Sequence, residues 1–136
     1  MRLVIDSNRF MAGLIKPSAC RKIILHKDFT FYSPDRILSE IEKYRDYLIE
    51  KSKLSEREFD ILSYTLLEYV TLIPFNDFEK EFEIAFDIMK DIDVKDTSFL
   101  AVGFAVNAQG IWTEDDDFLK QTRLRVYSTK SLLEII

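Results

Sequence analysis

The sequence predicts an α/β fold, a parallel sheet covered by helices on both faces. Three observations carry this. Short apolar, β-branched runs alternate with helical runs along all 136 residues, the signature of parallel strands joined by crossover helices. The stretch 97–108 is apolar nearly all round, so it should lie deep between sheet and neighbours. Hydrophobic residues make up 47% and charged residues 32%, enough apolar material for a core and enough charge for a solvated surface. The length suits one domain, 1–136, and no repeat, linker or low-complexity tract divides it.

The elements follow in order. Residues 2–5 are an apolar strand that stops at Asp6. A short helix over 9–15 and another over 18–27 come next, and Phe29–Tyr32 is a short aromatic strand. Pro34 suits the first position of a helix running to about Lys51. Ser55 and Glu58 form the spacing of a capping box, and the helix they open reaches about Tyr69. Val70–Ile73 is β-branched and apolar, hence a strand, stopped by Pro74. A helix spans 77–90. Asp96 is placed to cap the apolar helix 97–108, and Gly110 fits its C-terminal cap. Ile111–Thr113 is a strand, 115–121 a short helix, Arg125–Tyr127 a last strand and Thr129–Ile135 a last helix.

Scarce residues exclude much chemistry. One histidine, His26, rules out His-pair zinc motifs, and it reads as a surface residue. Three glycines cannot build a Walker A loop or a dinucleotide fingerprint. The single cysteine, Cys20, precludes an intrachain disulfide and fits a reducing, cytoplasmic setting. No run reaches the roughly 20 apolar residues that span a membrane. A net charge of −5 is unusual for a nucleic-acid binder. Cations bound to an acidic site would offset part of that objection, and a local Lys/Arg patch would have to supply the rest.

Carboxylate is what remains plentiful. In open α/β sheets, ligands bind beyond the carboxyl ends of the strands. Asp6 follows the first strand, Asp115 follows strand 111–113, and Asp96 opens the buried helix, so three distant segments bring acids to one edge. On helix 34–51, Ile37, Ile41, Tyr44 and Leu48 form an apolar stripe at 100° per residue. Glu40 borders that stripe, whereas Glu42 points nearly opposite. Each acid also has a structural reading: Asp96 as an N-cap, Asp115 as a first-turn residue, Asp6 as a turn residue, Glu40 as a partner of Arg36 or Lys43. The neighbours Asp91 and Asp93, and Asp116 and Asp117, leave open which acid of each group faces a ligand. Asp96 and Asp115 are favoured by their positions.

The local words resemble the PIN-domain family of nucleases. Val4-Ile5-Asp6-Ser7-Asn8 looks like its opening strand. Pro34 to Glu40 is similar to its second acidic motif, and Asp96-Thr97-Ser98-Phe99-Leu100-Ala101 to its third. Trp112-Thr113-Glu114-Asp115-Asp116-Asp117-Phe118 resembles the fourth. The ordered set covers essentially the whole chain. The resemblance implies a three-layer α/β/α sandwich with a mainly parallel sheet. It implies Mg²⁺ or Mn²⁺ held by Asp6, Glu40, Asp96 and Asp115, with Asn8, Thr113 and Asp117 in support. It implies a metal-dependent endoribonuclease that hydrolyses RNA, as in VapC-like toxins, which pair with a small antitoxin protein. A second reading is a PIN-like module that binds RNA or protein in RNA processing with little or no turnover. A response-regulator-like phosphoacceptor fits worse, because no strand-end Lys matches that class. Tyr44, Tyr47, Phe59 and Tyr64 would serve either as core or as a homodimer surface.

Overall fold

A computed structural model describes residues 1–136. Five strands run parallel in the order β3-β2-β1-β4-β5: β1 (Arg2–Ile5), β2 (Thr30–Pro34), β3 (Val70–Ile73), β4 (Gly110–Trp112) and β5 (Val126–Tyr127). The chain winds outward from β1 to β2 and β3, then returns to the other side of β1 for β4 and β5. The order therefore reverses between β1 and β4. The carboxyl ends of those two strands flank the crevice where such sheets bind ligands.

The helices are α1 (Ser7–Ile15), α2 (Ala19–Ile24), α3 (Ile37–Lys43), α4 (Arg45–Ser52), α5 (Glu56–Leu67), α6 (Glu79–Met89), α7 (Thr97–Ala105) and α8 (Thr129–Ile135). Alternation along each strand splits the core into two layers. Leu3, Ile5, Phe31 and Trp112 point to one face and pack with α1 to α5 and α8. Val4 and Ile111 point to the other and pack with α6 and α7. Leu3, Val4 and Ile5 are wholly buried, each worth about 1.5–3 kcal/mol relative to exposure. This is the predicted α/β/α arrangement. In α7 every residue from Thr97 to Gly103 is buried, as its all-round apolar character required.

Four local expectations need correction. Pro34 ends β2 rather than opening a helix. The single helix expected over 34–51 is two, broken at Tyr44, whose φ of −100° and ψ of 9° leave the helical well. Gly110 is not a helix cap. Asn107, with φ 53°, turns the chain after α7 instead. Gly110 lies in β4, where a Cβ would come within 2.5 Å of the Arg125 carbonyl oxygen, so the close approach of the neighbouring chain demands glycine there. Asp96 makes no cap hydrogen bond. It closes a 3₁₀ turn, Val94–Asp96, whose own cap is Asp93, accepting from the Lys95 N–H at 3.1 Å. By contrast, the Ser55–Glu58 capping box forms as expected. No helix is long and apolar enough to cross a membrane.

Candidate metal centre

Asp6 is fixed first. Its N–H continues the β1–β4 pairing by donating to the Trp112 carbonyl at 3.1 Å. Its side chain then caps α1, with Oδ1 accepting from the Asn8 N–H at 3.4 Å. Oδ2 accepts from the buried Thr113 hydroxyl at 2.6 Å. Thr113 Oγ1 in turn accepts from the Asp115 N–H at 3.0 Å, and Asp115 Oδ1 accepts from the Asp117 N–H at 2.9 Å. A string of short bonds thus ties the end of β1 to the acidic loop after β4. Thr113 is its link, and Asn8 contributes through its backbone while its side chain stays exposed.

Asp93, Asp96, Asp115 and Asp117 each bring one carboxylate oxygen to within 4.8 Å of the others. Of the two crowded acidic groups, Asp91 and Asp116 are exposed and stand apart from this set. The 3₁₀ turn explains the Asp93–Asp96 pair, because the Asp96 N–H donates to the Asp93 carbonyl at 3.1 Å and draws the two residues together. Asp6 and Glu40 do not belong to the four-oxygen cluster. They line the same cleft, of about 320 Å³, with Asp93, Asp96 and Asp115.

The electrostatics of the cleft are unfavourable as they stand. Burial, chiefly, and repulsion from Asp93, Asp115, Asp6 and Asp117 push the Asp96 carboxyl up to about 7. Burial also raises Asp6, against the lowering effect of the Thr113 and Asn8 bonds. Asp96 Oδ2 is buried with no hydrogen-bond partner, and so is the Ser7 hydroxyl on the same wall. Buried oxygens are normally satisfied, and leaving one without a donor costs about 1–3 kcal/mol. A hard divalent cation takes oxygen ligands of this kind, so the donor set fits one.

Glu40 takes the structural role open to it. Its Oε1 accepts from Arg36 Nε at 3.2 Å and Nη2 at 2.9 Å. Arg36 Nη1 reaches across to the Lys95 carbonyl at 2.9 Å and the Ser98 hydroxyl at 3.3 Å, tying α3 to the start of α7. Arg36, Lys43 and Lys95 all line the acidic cleft. The sequence required a local basic patch without locating it. Its residues come from two segments far apart in the chain, α3 with its cap and the 3₁₀ turn before α7, so no run of charge along the chain could reveal it. Asp93 is hidden in the sequence for a different reason: its spacing from Asp96 carries meaning only through the 3₁₀ turn. His26 lies outside the site, with Nδ1 accepting from the Asp28 N–H at 3.2 Å.

A sequence model of a known family, described as PIN domain, matches residues 4–131 and so spans all the acids above. No curated protein matches the chain.

Proposed function

The chain belongs to the PIN-domain family, and from that premise we propose that it is an endoribonuclease dependent on Mg²⁺ or Mn²⁺. Membership points to a nuclease, and the acidic cluster could hold a metal. The observation that carries the reading is Asp96, whose Oδ2 is buried without a partner and whose carboxylate lies among three others. A module that only bound RNA or protein would gain nothing from that arrangement, which works against folding.

Asp96 and Asp115, with Asp93 and Asp117, would hold the cation. Such an ion supplies a Lewis acid for the phosphate oxygens and makes water easier to deprotonate. Asp6 keeps Thr113 and the Asp115 loop in register through the 2.6 Å bond. Glu40, its charge partly met by Arg36, would orient water or a second ion from the wall of the cleft. Lys43 and Lys95 put positive charge at the rim, where phosphates on either side of the scissile bond would lie.

The test is cleavage of a single-stranded RNA by pure protein. Cleavage is expected with Mg²⁺ or Mn²⁺, none with EDTA, and much less on DNA of the same sequence. Undiminished cleavage in EDTA overturns the metal mechanism, and equal cleavage of DNA overturns the assignment to RNA.

A further inference from the structure

A second cleft, of about 410 Å³, opens between α1 and α4 and adjoins the acidic one, the two sharing Asn8, Met11 and Tyr44. Its volume falls in the roughly 300–1,000 Å³ range of ligand pockets. Met11 and Leu48 form a buried floor, and two tyrosines stand at the edge, Tyr44 42% and Tyr47 54% exposed. Each ring carries a cation, Lys43 Nζ at 5.3 Å from the Tyr44 centroid and Lys51 Nζ at 5.7 Å from that of Tyr47. Arg9 lines the wall. Its Nη1 has only the weak acceptor Cys20 Sγ at 3.6 Å, and its buried Nε has no partner.

We propose that this cleft is a nucleobase subsite, holding the unstacked base of a nucleotide next to the scissile phosphate against Tyr47 and Tyr44. The proposal rests on the nuclease reading above and specifies its substrate as single-stranded. Continuity puts an occupant beside the cleft that holds the acids. The chain's charge of −5 gives it little general hold on a polyanion. Beyond the few cations at the clefts, affinity must then come from uncharged surface, and aromatic faces stack any base. A duplex keeps its bases stacked and cannot offer one, whereas single strands can splay theirs out. A second copy of the chain fits the surface less well. Apart from the tyrosines, α4 exposes Asp46, Glu50 and Lys51, charges that a helix-on-helix contact would have to strip of water.

The experiment uses Tyr47, which lines only this cleft among the two. Steady-state cleavage of a short single-stranded RNA is compared for wild type, Tyr47→Ala and Tyr47→Phe. The alanine variant should raise KM by roughly 5- to 150-fold, the span for stacking one base on one ring, with kcat unchanged, and Tyr47→Phe should restore it. An abasic nucleotide walked along the RNA should, at one position beside the cleaved bond, cost as much as Tyr47→Ala, which then adds nothing further. An unchanged KM, or an alanine effect that persists in full on every abasic RNA, overturns the subsite while leaving the nuclease intact. If wild type cleaves nothing, the nuclease reading falls, and fluorescence anisotropy with the same RNA still decides the subsite. A Kd weakened by Tyr47→Ala and restored by Tyr47→Phe supports it, and an unchanged Kd overturns it. Sedimentation of the same variants covers self-association. A dimer lost on Tyr47→Ala with RNA affinity unchanged assigns the cleft to a second copy and overturns the proposal.

Discussion

Gln121 and Asp96 are both polar side chains turned in from water, and their surroundings are opposite. The Gln121 amide is saturated. Its Nε2 donates to the Phe118 and Leu124 carbonyls, both at 2.8 Å. Its Oε1 accepts from the Arg123 N–H at 3.0 Å and the Leu124 N–H at 2.9 Å. One side chain thereby replaces the secondary structure that the loop before β5 lacks. Asp96 Oδ2 accepts from nothing, and its carboxylate lies among three others. A saturated buried group holds the fold together. An orphaned one among like charges opposes the fold and persists only if something outside the chain completes it. The contrast separates scaffold from site without reference to any relative.

The largest expected effect attacks the site end of the contrast. Asp96→Asn and Asp115→Asn should each lower kcat/KM by more than about 100-fold, since even groups outside a metal's direct ligands are worth about 10- to 100-fold. Gln121→Ala should leave activity per folded molecule near wild type. Glu42→Gln should also be silent. Glu42 is exposed and does not line the cleft. If it matches Glu40→Gln, the facing of α3 is misassigned. Initial-rate assays at saturating Mn²⁺ check all of these together.

The next effect attacks the scaffold end. Gln121→Ala strips partners from four backbone groups, each costing about 1–3 kcal/mol if left dry. Water will reach some of them, so a loss of about 2–4 kcal/mol is expected in urea unfolding. A loss below about 0.5 kcal/mol, the usual scatter of surface substitutions, would show that the four bonds do not hold the loop, and the comparison would fail on that side.

How far each end could be read in advance differs for physical reasons. Asp6 was legible because an apolar β-branched run ending in Asp needs no tertiary information. The alternation of strand and helix gave the sheet, and the all-apolar run gave the buried α7. The break at Tyr44 was not legible, because Ile37, Ile41 and Leu48 are buried on both sides of it and the apolar period runs through undisturbed. That break puts Tyr44 on the wall shared by the two clefts. The absence of a cap bond at Asp96 is not legible in the sequence, because N-cap preference is a local rule. With φ −91° and ψ 0°, Asp96 is already wound into the preceding turn, so its carboxylate is released toward the other acids. Asp117 was legible only as a supporting residue. Its membership of the cluster depends on the tight turn that its N–H makes with Asp115 Oδ1.

The smallest effect is the most direct reading of the contrast, and it concerns the protein stripped of metal. A carboxyl near 3.8 in the unfolded chain is raised to about 7 at Asp96 in the fold, by burial first and by its acidic neighbours second. Asp6 moves in the same direction. Between those two values the folded state keeps protons that the unfolded state has released, so stability falls as pH rises. The favourable contribution is complete below about pH 4 and lost as pH passes through about 7. In EDTA, melting temperature should therefore decline across that window, and Asp96→Asn should flatten the decline. At neutral pH the variant should be the more stable protein, by about 1 kcal/mol at most once solvent screening is allowed for, or roughly 3–5 °C for a chain of this size. Asparagine forfeits no cap here, since Asp96 makes no cap bond, so the substitution reports charge alone. Mn²⁺ should invert the ranking, because an ion that binds only the folded wild type adds RT ln(1 + [L]/Kd), about 2.7 kcal/mol at 100 times Kd. If Asp96→Asn melts below wild type in EDTA and keeps the full Mn²⁺ rise, then Asp96 belongs with Gln121 as scaffold, and the centre lies elsewhere.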